Sequence, residues 1–189
     1  MTSDPDYGVL HDCAEFTYNA SGMFCNTTMV DMFSVPLSIR LTGAKDQTTG
    51  TLREGGRAAA FAAVREVPEF GRLVVDDTRI IARPGPGRRA VRRGLLRALH
   101  RPNDGTTGPV AAILGAGFNR STLVGSAAQP MTDPASFYRT GLTNHYAKAM
   151  HAAARDGKAY GFAFDDVADF ASYVQDTAPT GLRLTLTPF

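Results

Sequence analysis

Residues 13–20, Cys-Ala-Glu-Phe-Thr-Tyr-Asn-Ala, alternate in character, and this alternation constrains the chain more than any other feature. Successive side chains of a β-strand point to opposite faces. Glu15, Thr17 and Asn19 therefore share one face, and Phe16 and Tyr18 share the other. Ser21-Gly22 predicts a turn, and residues 23–33, rich in Thr, Val, Phe and Met, predict a second strand. The pair reads as a β-hairpin with one polar face. With the turn at Ser21-Gly22, Phe24, Asn26 and Thr28 lie across from Asn19, Thr17 and Glu15. Such a floor of hydroxyls and amides with one aromatic ring suits a sugar. Its hydroxyls find hydrogen bonds, and its apolar face finds a ring to stack on.

The rest of the chain continues in the same mixed manner. Residues 36–42 alternate again and predict a third strand. A helix is expected from about 52 to 66, with Pro68 as its stop. Residues 72–76 and 79–82 read as two short strands, and residues 110–118 as a helix. Thr143 is placed to cap a further helix that ends at Gly157. Residues 159–164 and 182–187 read as strands. No internal repeat is visible. This order predicts a mainly β fold with helices inserted between strands.

At 189 residues with 43% hydrophobic and 20% charged side chains, the chain suits a single packed domain. No stretch reaches the ~20 apolar residues of a membrane-spanning helix. The first residues have neither a basic nor an apolar segment of the secretory kind. Either the protein stays inside, or it is exported otherwise, or its true start lies upstream. Two cysteines, Cys13 and Cys25, are too few for a disulfide framework, and their spacing suits no metal knuckle. They read as two half-buried or buried thiols, with a single bridge left open. The net charge of +2 conceals a local excess: residues 83–101 contain seven arginines and no acid. That segment reads either as an anion- or nucleic-acid-binding patch or as a solvated helix or loop. It has no interleaved aromatic residue for base stacking.

Hydrolysis of a glycosidic bond requires two carboxyl groups, one to protonate the leaving oxygen and one to activate water or attack the sugar. Glu15, between Thr17 and its cross-strand polar neighbours, is the candidate on the hairpin. Asp31 is off-phase by one residue and needs a bulge or bend to reach the same cleft. Other candidates are weaker. His145 and His151 lie six apart, on different faces of one helix, and do not form a metal pair. Asp165-Asp166 follows a predicted strand, where the pair binds sugar or a cation or caps a turn. No nucleophile elbow, phosphate loop or dinucleotide fingerprint is present, and neither a metal nor a cofactor is expected.

These segments carry a resemblance. Glu15-Phe-Thr-Tyr-Asn and Asn26-Thr-Thr-Met-Val-Asp-Met-Phe-Ser-Val-Pro-Leu resemble glycoside hydrolase family 64, the laminaripentaose-producing β-1,3-glucanases. Phe118-Asn-Arg-Ser-Thr-Leu, Asn144-His-Tyr-Ala-Lys-Ala-Met-His and the run from Asp156 to Val167 resemble the same family. The resemblance implies a thaumatin-like β-barrel or β-sandwich core with a mixed α/β part beside it. It implies an inverting endo-β-1,3-glucanase with Glu15 as acid and Asp31 as base. Thr17, Asn19, Phe24, Asn26 and Thr28 would contact the sugar. The implied partner is β-1,3-glucan, as in laminarin or fungal cell walls. It further implies that neither nucleic acid nor a membrane is a partner, that the protein is a monomer and that it acts outside the cell. Relative to that family, residues 1–189 read as one shortened domain, with 83–107 as an atypical Arg/Pro/Gly-rich insert. The alternative is a thaumatin-like protein that binds the glucan without cleaving it.

Overall fold

The computed structural model describes residues 5–6, 8–82, 107–123 and 128–187. The arginine-rich segment 83–101 therefore lies outside the described residues, and with it the choice between an anion-binding patch and a solvated helix or loop.

Strands β1 (Cys13–Asn19) and β2 (Gly22–Thr28) form the expected hairpin. A third strand, β8 (Tyr173–Asp176), joins the far side of β2, giving the order β1-β2-β8. The register differs from the sequence expectation by two residues. Glu15 pairs with Asn26, Thr17 with Phe24 and Asn19 with Gly22, so the turn is at Ala20-Ser21. Two local causes fix it. The Asn19 side chain accepts a hydrogen bond from the Ser21 amide (2.8 Å), which closes the turn early. Gly22 then belongs to the strand, with φ +121, and a Cβ there would lie 2.2 Å from the Asp176 carbonyl oxygen. A shift of two preserves each residue's face, so the polar side of the hairpin is unchanged.

The predicted strand over 23–33 is broken. It bends at Val30 and Asp31 and resumes as β3 (Met32–Phe33), which pairs with β7 (Arg79–Ile81). β6 (Val74–Val75) completes this small sheet. A third sheet has the order β5-β4-β9, from β4 (Leu37–Thr42), β5 (Asp46–Thr49) and β9 (Gly181–Leu186). The sequence reading missed β5 and β8, both only four residues long.

The hairpin sheet packs on the β4 sheet through Cys25, Ile39, Leu41 and Val174. Each such side chain contributes roughly 1.5–3 kcal/mol by leaving water. A second core joins α1 (Gly56–Arg65) and α4 (His145–Ala153) to the β3-β7 strands through Phe33, Phe61, Val64, Ile80, Tyr146 and Met150. Pro68 does not merely end a helix; it opens the one-turn helix α2 (Pro68–Gly71). Helix α3 (Thr107–Asn119) covers the expected 110–118. Asn144, not Thr143, caps α4, accepting from the Ala147 amide at 3.0 Å.

One expected strand is absent. Residues 159–164 form an irregular segment because Asp165 takes over its backbone: Oδ2 accepts the Gly161 amide at 2.8 Å. Asp165 is fully buried between Arg120 and His151 (3.1 and 2.9 Å). The described residues thus form a mainly β molecule with a helical part.

Candidate active site

The outer face of the hairpin sheet forms the site's floor. β1 contributes Cys13, Glu15 and Thr17. β2 contributes Thr28, Asn26 and Phe24 opposite them, and β8 adds Tyr173 and Gln175 beside Asn26 and Phe24. Alternation along β2 sends Cys25 and Thr27 inward and leaves Phe24, Asn26 and Thr28 half-buried on this face. Glu15, Thr17, Phe24, Asn26 and Tyr173 line an open groove of ≈ 640 Å³. A smaller concavity of ≈ 320 Å³, lined by Arg40, Thr42 and Arg183 among others, has no carboxylate in its lining.

Glu15 is exposed, and its Oε2 accepts a hydrogen bond from Asn26 Nδ2 at 3.3 Å. The other amide atom of Asn26, Oδ1, is buried without a partner. Asp31 is exposed on the bend between β2 and β3 and lies outside the groove's lining. Both carboxylates nevertheless act on one thiol. Cys13 is pushed up from its ordinary value first by burial and then by Asp12, Glu15 and Asp31. Asn19 lies at the end of β1 beside the turn, where its side-chain oxygen accepts from the Ser21 amide. Thr28 stands opposite Cys13, two pairs from Glu15–Asn26.

Several residues here escaped the sequence reading. Tyr160 approaches from the irregular segment and is pushed up to about 12 by burial, then by Asp166, Asp165 and Glu15. The acidic pair is divided: Asp165 turns into the core, and Asp166, beside Tyr160, is exposed. Tyr173 was missed because β8 is short. Its hydroxyl donates to Gln175 Oε1 at 2.7 Å. The cysteines are both free, Cys13 exposed and Cys25 buried, so no bridge joins them. His145 and His151 face apart: one bonds the Gly141 carbonyl, the other Asp165. Among the described residues, no three His, Cys, Asp or Glu side chains gather as a metal set.

The profile of the Beta-1,3-glucanase family, glycoside hydrolase family 64, matches residues 1–94 and 91–186. The chain belongs to this family. The chain is similar to the glucan endo-1,3-beta-glucosidase of Cellulosimicrobium cellulans, 28% identical over 257 positions. That match covers 99% of this chain and 47% of the relative, so the chain spans about half the length of the curated proteins it matches. Because 257 aligned positions meet only 189 residues, the relative carries a stretch within the matched span that has no counterpart here. The two profile matches meet at 91–94, inside the arginine run.

Among solved structures, a laminaripentaose-producing beta-1,3-glucanase in complex with laminaritetraose superposes with TM-score 0.82 at 29% identity, covering 100% of this chain and 71% of that one. The Paenibacillus barengoltzii enzyme complexed with laminarihexaose gives 0.78 at 29%, covering 98% and 48%.

Proposed function

We propose that this chain performs endo-hydrolysis of β-1,3-glucan with inversion at the anomeric carbon. Glu15 donates a proton to the glycosidic oxygen as the bond to the anomeric carbon breaks. Asp31 takes a proton from a water that attacks the same carbon from the opposite face. Inversion needs room for that water, so the two carboxyl groups stand roughly 6.5–9.5 Å apart when substrate is bound. Thr17, Phe24, Asn26 and Tyr173 hold the sugar: the ring of Phe24 stacks on its apolar face and the others bond its hydroxyls. The observation that carries this reading is the Glu15–Asn26 pair in an open groove on a family 64 fold. The substrate class puts the reaction outside the cell, on fungal walls or their debris.

Reducing-end release from laminarin tests the proposal. Glu15→Gln and Asp31→Asn are expected to lose about 10²–10⁴-fold in turnover. Turnover equal to that of the unaltered protein in both variants would falsify it.

A second reading, glucan binding without cleavage, is favoured by the stretch that this chain lacks within the matched span. It predicts retention on insoluble β-1,3-glucan with no soluble product.

A further inference from the structure

Asp12 stands immediately before the strand that carries Glu15. Its Oδ2 accepts hydrogen bonds from the Ser34 and Val35 amides, at 2.6 and 2.9 Å. Those amides follow Asp31 by three and four residues. Asp12 therefore ties the start of the Glu15 strand to the chain just after β3, the short strand that follows the Asp31 bend. The residue before the bend is pinned separately. Tyr146 Oη donates to the Met29 carbonyl at 2.6 Å, and the Met29 amide donates to the Tyr160 carbonyl at 2.8 Å. Behind the clasp, Ser34 is buried, and its carbonyl accepts Arg57 Nε at 2.8 Å. Asp12 Oδ1 is buried with no hydrogen-bond partner. A structural carboxylate is ordinarily satisfied at both oxygens. Leaving one bare makes the charged form costly.

We propose that Asp12 is a positioning residue for the carboxylate pair: in its charged form it clasps the Ser34 and Val35 amides and holds Asp31 in place relative to Glu15, and protonation at the bare Oδ1 loosens that clasp. The physical reason is that an ionised carboxylate accepts roughly twice as strong a hydrogen bond as a neutral acceptor. The inference rests on the proposed role of Glu15 and Asp31 for its consequence in catalysis, but the clasp itself can be measured without turnover.

The groups around Asp12 set where it titrates. Burial pushes its carboxyl up to about 6, against the Ser34, Val35 and Cys13 amides and His11, which pull it down. The Cys13 thiol lies beside it on β1, and Tyr146 on α4 senses both Asp12 and Asp31. Arg57 on α1 is one carbonyl away, through Ser34.

The test is a pH titration of the full chain by NMR, following the Ser34 and Val35 amides and the side-chain carboxyl carbons of Asp12 and Asp31. In the unaltered protein, the Asp12 carboxyl carbon and the Ser34 and Val35 amides are expected to move together with one midpoint near 6, and the Asp31 signal to respond to that step. Asp12→Asn keeps the shape but offers an uncharged acceptor. Its Ser34, Val35 and Asp31 signals are expected to show no such step and at pH 7 to match those of the unaltered protein at pH 5. Signals that stay flat in the unaltered protein, or an identical step in Asp12→Asn, overturn the inference. Laminarin turnover against pH is measured in parallel. A step near pH 6 present in the unaltered protein and missing in Asp12→Asn supports the catalytic consequence, and the same step in both refutes it. If neither protein turns over laminarin while the NMR step is present, the proposed hydrolysis fails and the clasp stands.

Discussion

The carboxylate of Asp165 sits in the core with no exposure and is claimed on every side. It accepts from Arg120, from the Gly161 amide and faces His151 Nε2, while the Arg120 guanidinium lies over Phe137 and Phe170. Removing one partner of a buried ion pair leaves the other charge unpaired at a cost of about 3–5 kcal/mol. Asp165→Ala is expected to destabilise the fold by that amount in urea denaturation. Its neighbour Asp166 is exposed at the surface, close to Tyr160. Asp166→Ala should cost about 1 kcal/mol or less. Comparable losses in the two variants would contradict the division of this acidic pair into a core residue and a surface residue. The sequence displays two adjacent aspartates and cannot say which one turns inward. That depends on Arg120 and His151, which are 45 and 14 residues away.

At the scale of the element, the hairpin's faces were legible and its register was not. Alternation alone separates Glu15 and Thr17 from Phe16 and Tyr18. The turn position depends on the Asn19 side chain and on the approach of β8 to Gly22. Gly22→Ala is therefore expected to destabilise the protein by about 1–3 kcal/mol, through positive φ and the clash with the Asp176 carbonyl. Circular dichroism on thermal melting measures it. An unchanged midpoint would mean that β8 does not pack there. The edges of the two packed sheets give a second contrast. Leu41 on β4 is fully buried, whereas Leu182, paired with it on β9, is 42% exposed. Leu41→Ala should cost about 2–5 kcal/mol and Leu182→Ala less than about 1. Both residues belong to alternating runs that look alike in the sequence. Only their position, central strand against edge strand, separates them. The same holds for Phe16 and Tyr18, which alternation sends toward the sheet's inner side and which stay 65% and 68% exposed at the other edge.

For the whole molecule, two carboxyl groups shape stability against pH from opposite sides. Asp12 titrates at about 6 in the folded chain against 3.8 for a free side chain. A raised value means that the folded state holds the proton more tightly. Its contribution is therefore complete below about 3.8 and is lost as pH rises through about 6, on the order of 3 kcal/mol at about 1.36 per unit. Asp176 behaves oppositely. The amides of Lys45, Ala178 and Ala44 hold it below the usual carboxylate range, so its contribution is present at neutral pH and lost on acidification below that range. Urea midpoints across pH 3–8 are expected to peak near about 4 and to fall by about pH 6, and Asp12→Asn should remove the decline on the alkaline side. A midpoint that rises steadily from pH 5 to 8 would refute the assignment.

The sequence by itself determined the polar face of the hairpin, the positions of β4, α1, α3 and β9, and the family. These follow from local periodicity and from motifs that survive within short windows. Tertiary structure decided the rest. It bent the strand at Val30 and Asp31, replaced the expected strand at 159–164 with a loop tied to Asp165, and brought Tyr160, Tyr173 and Asp12 to the carboxylates. Each of these depends on a partner distant in the chain, and neither periodicity nor spacing encodes the identity of that partner.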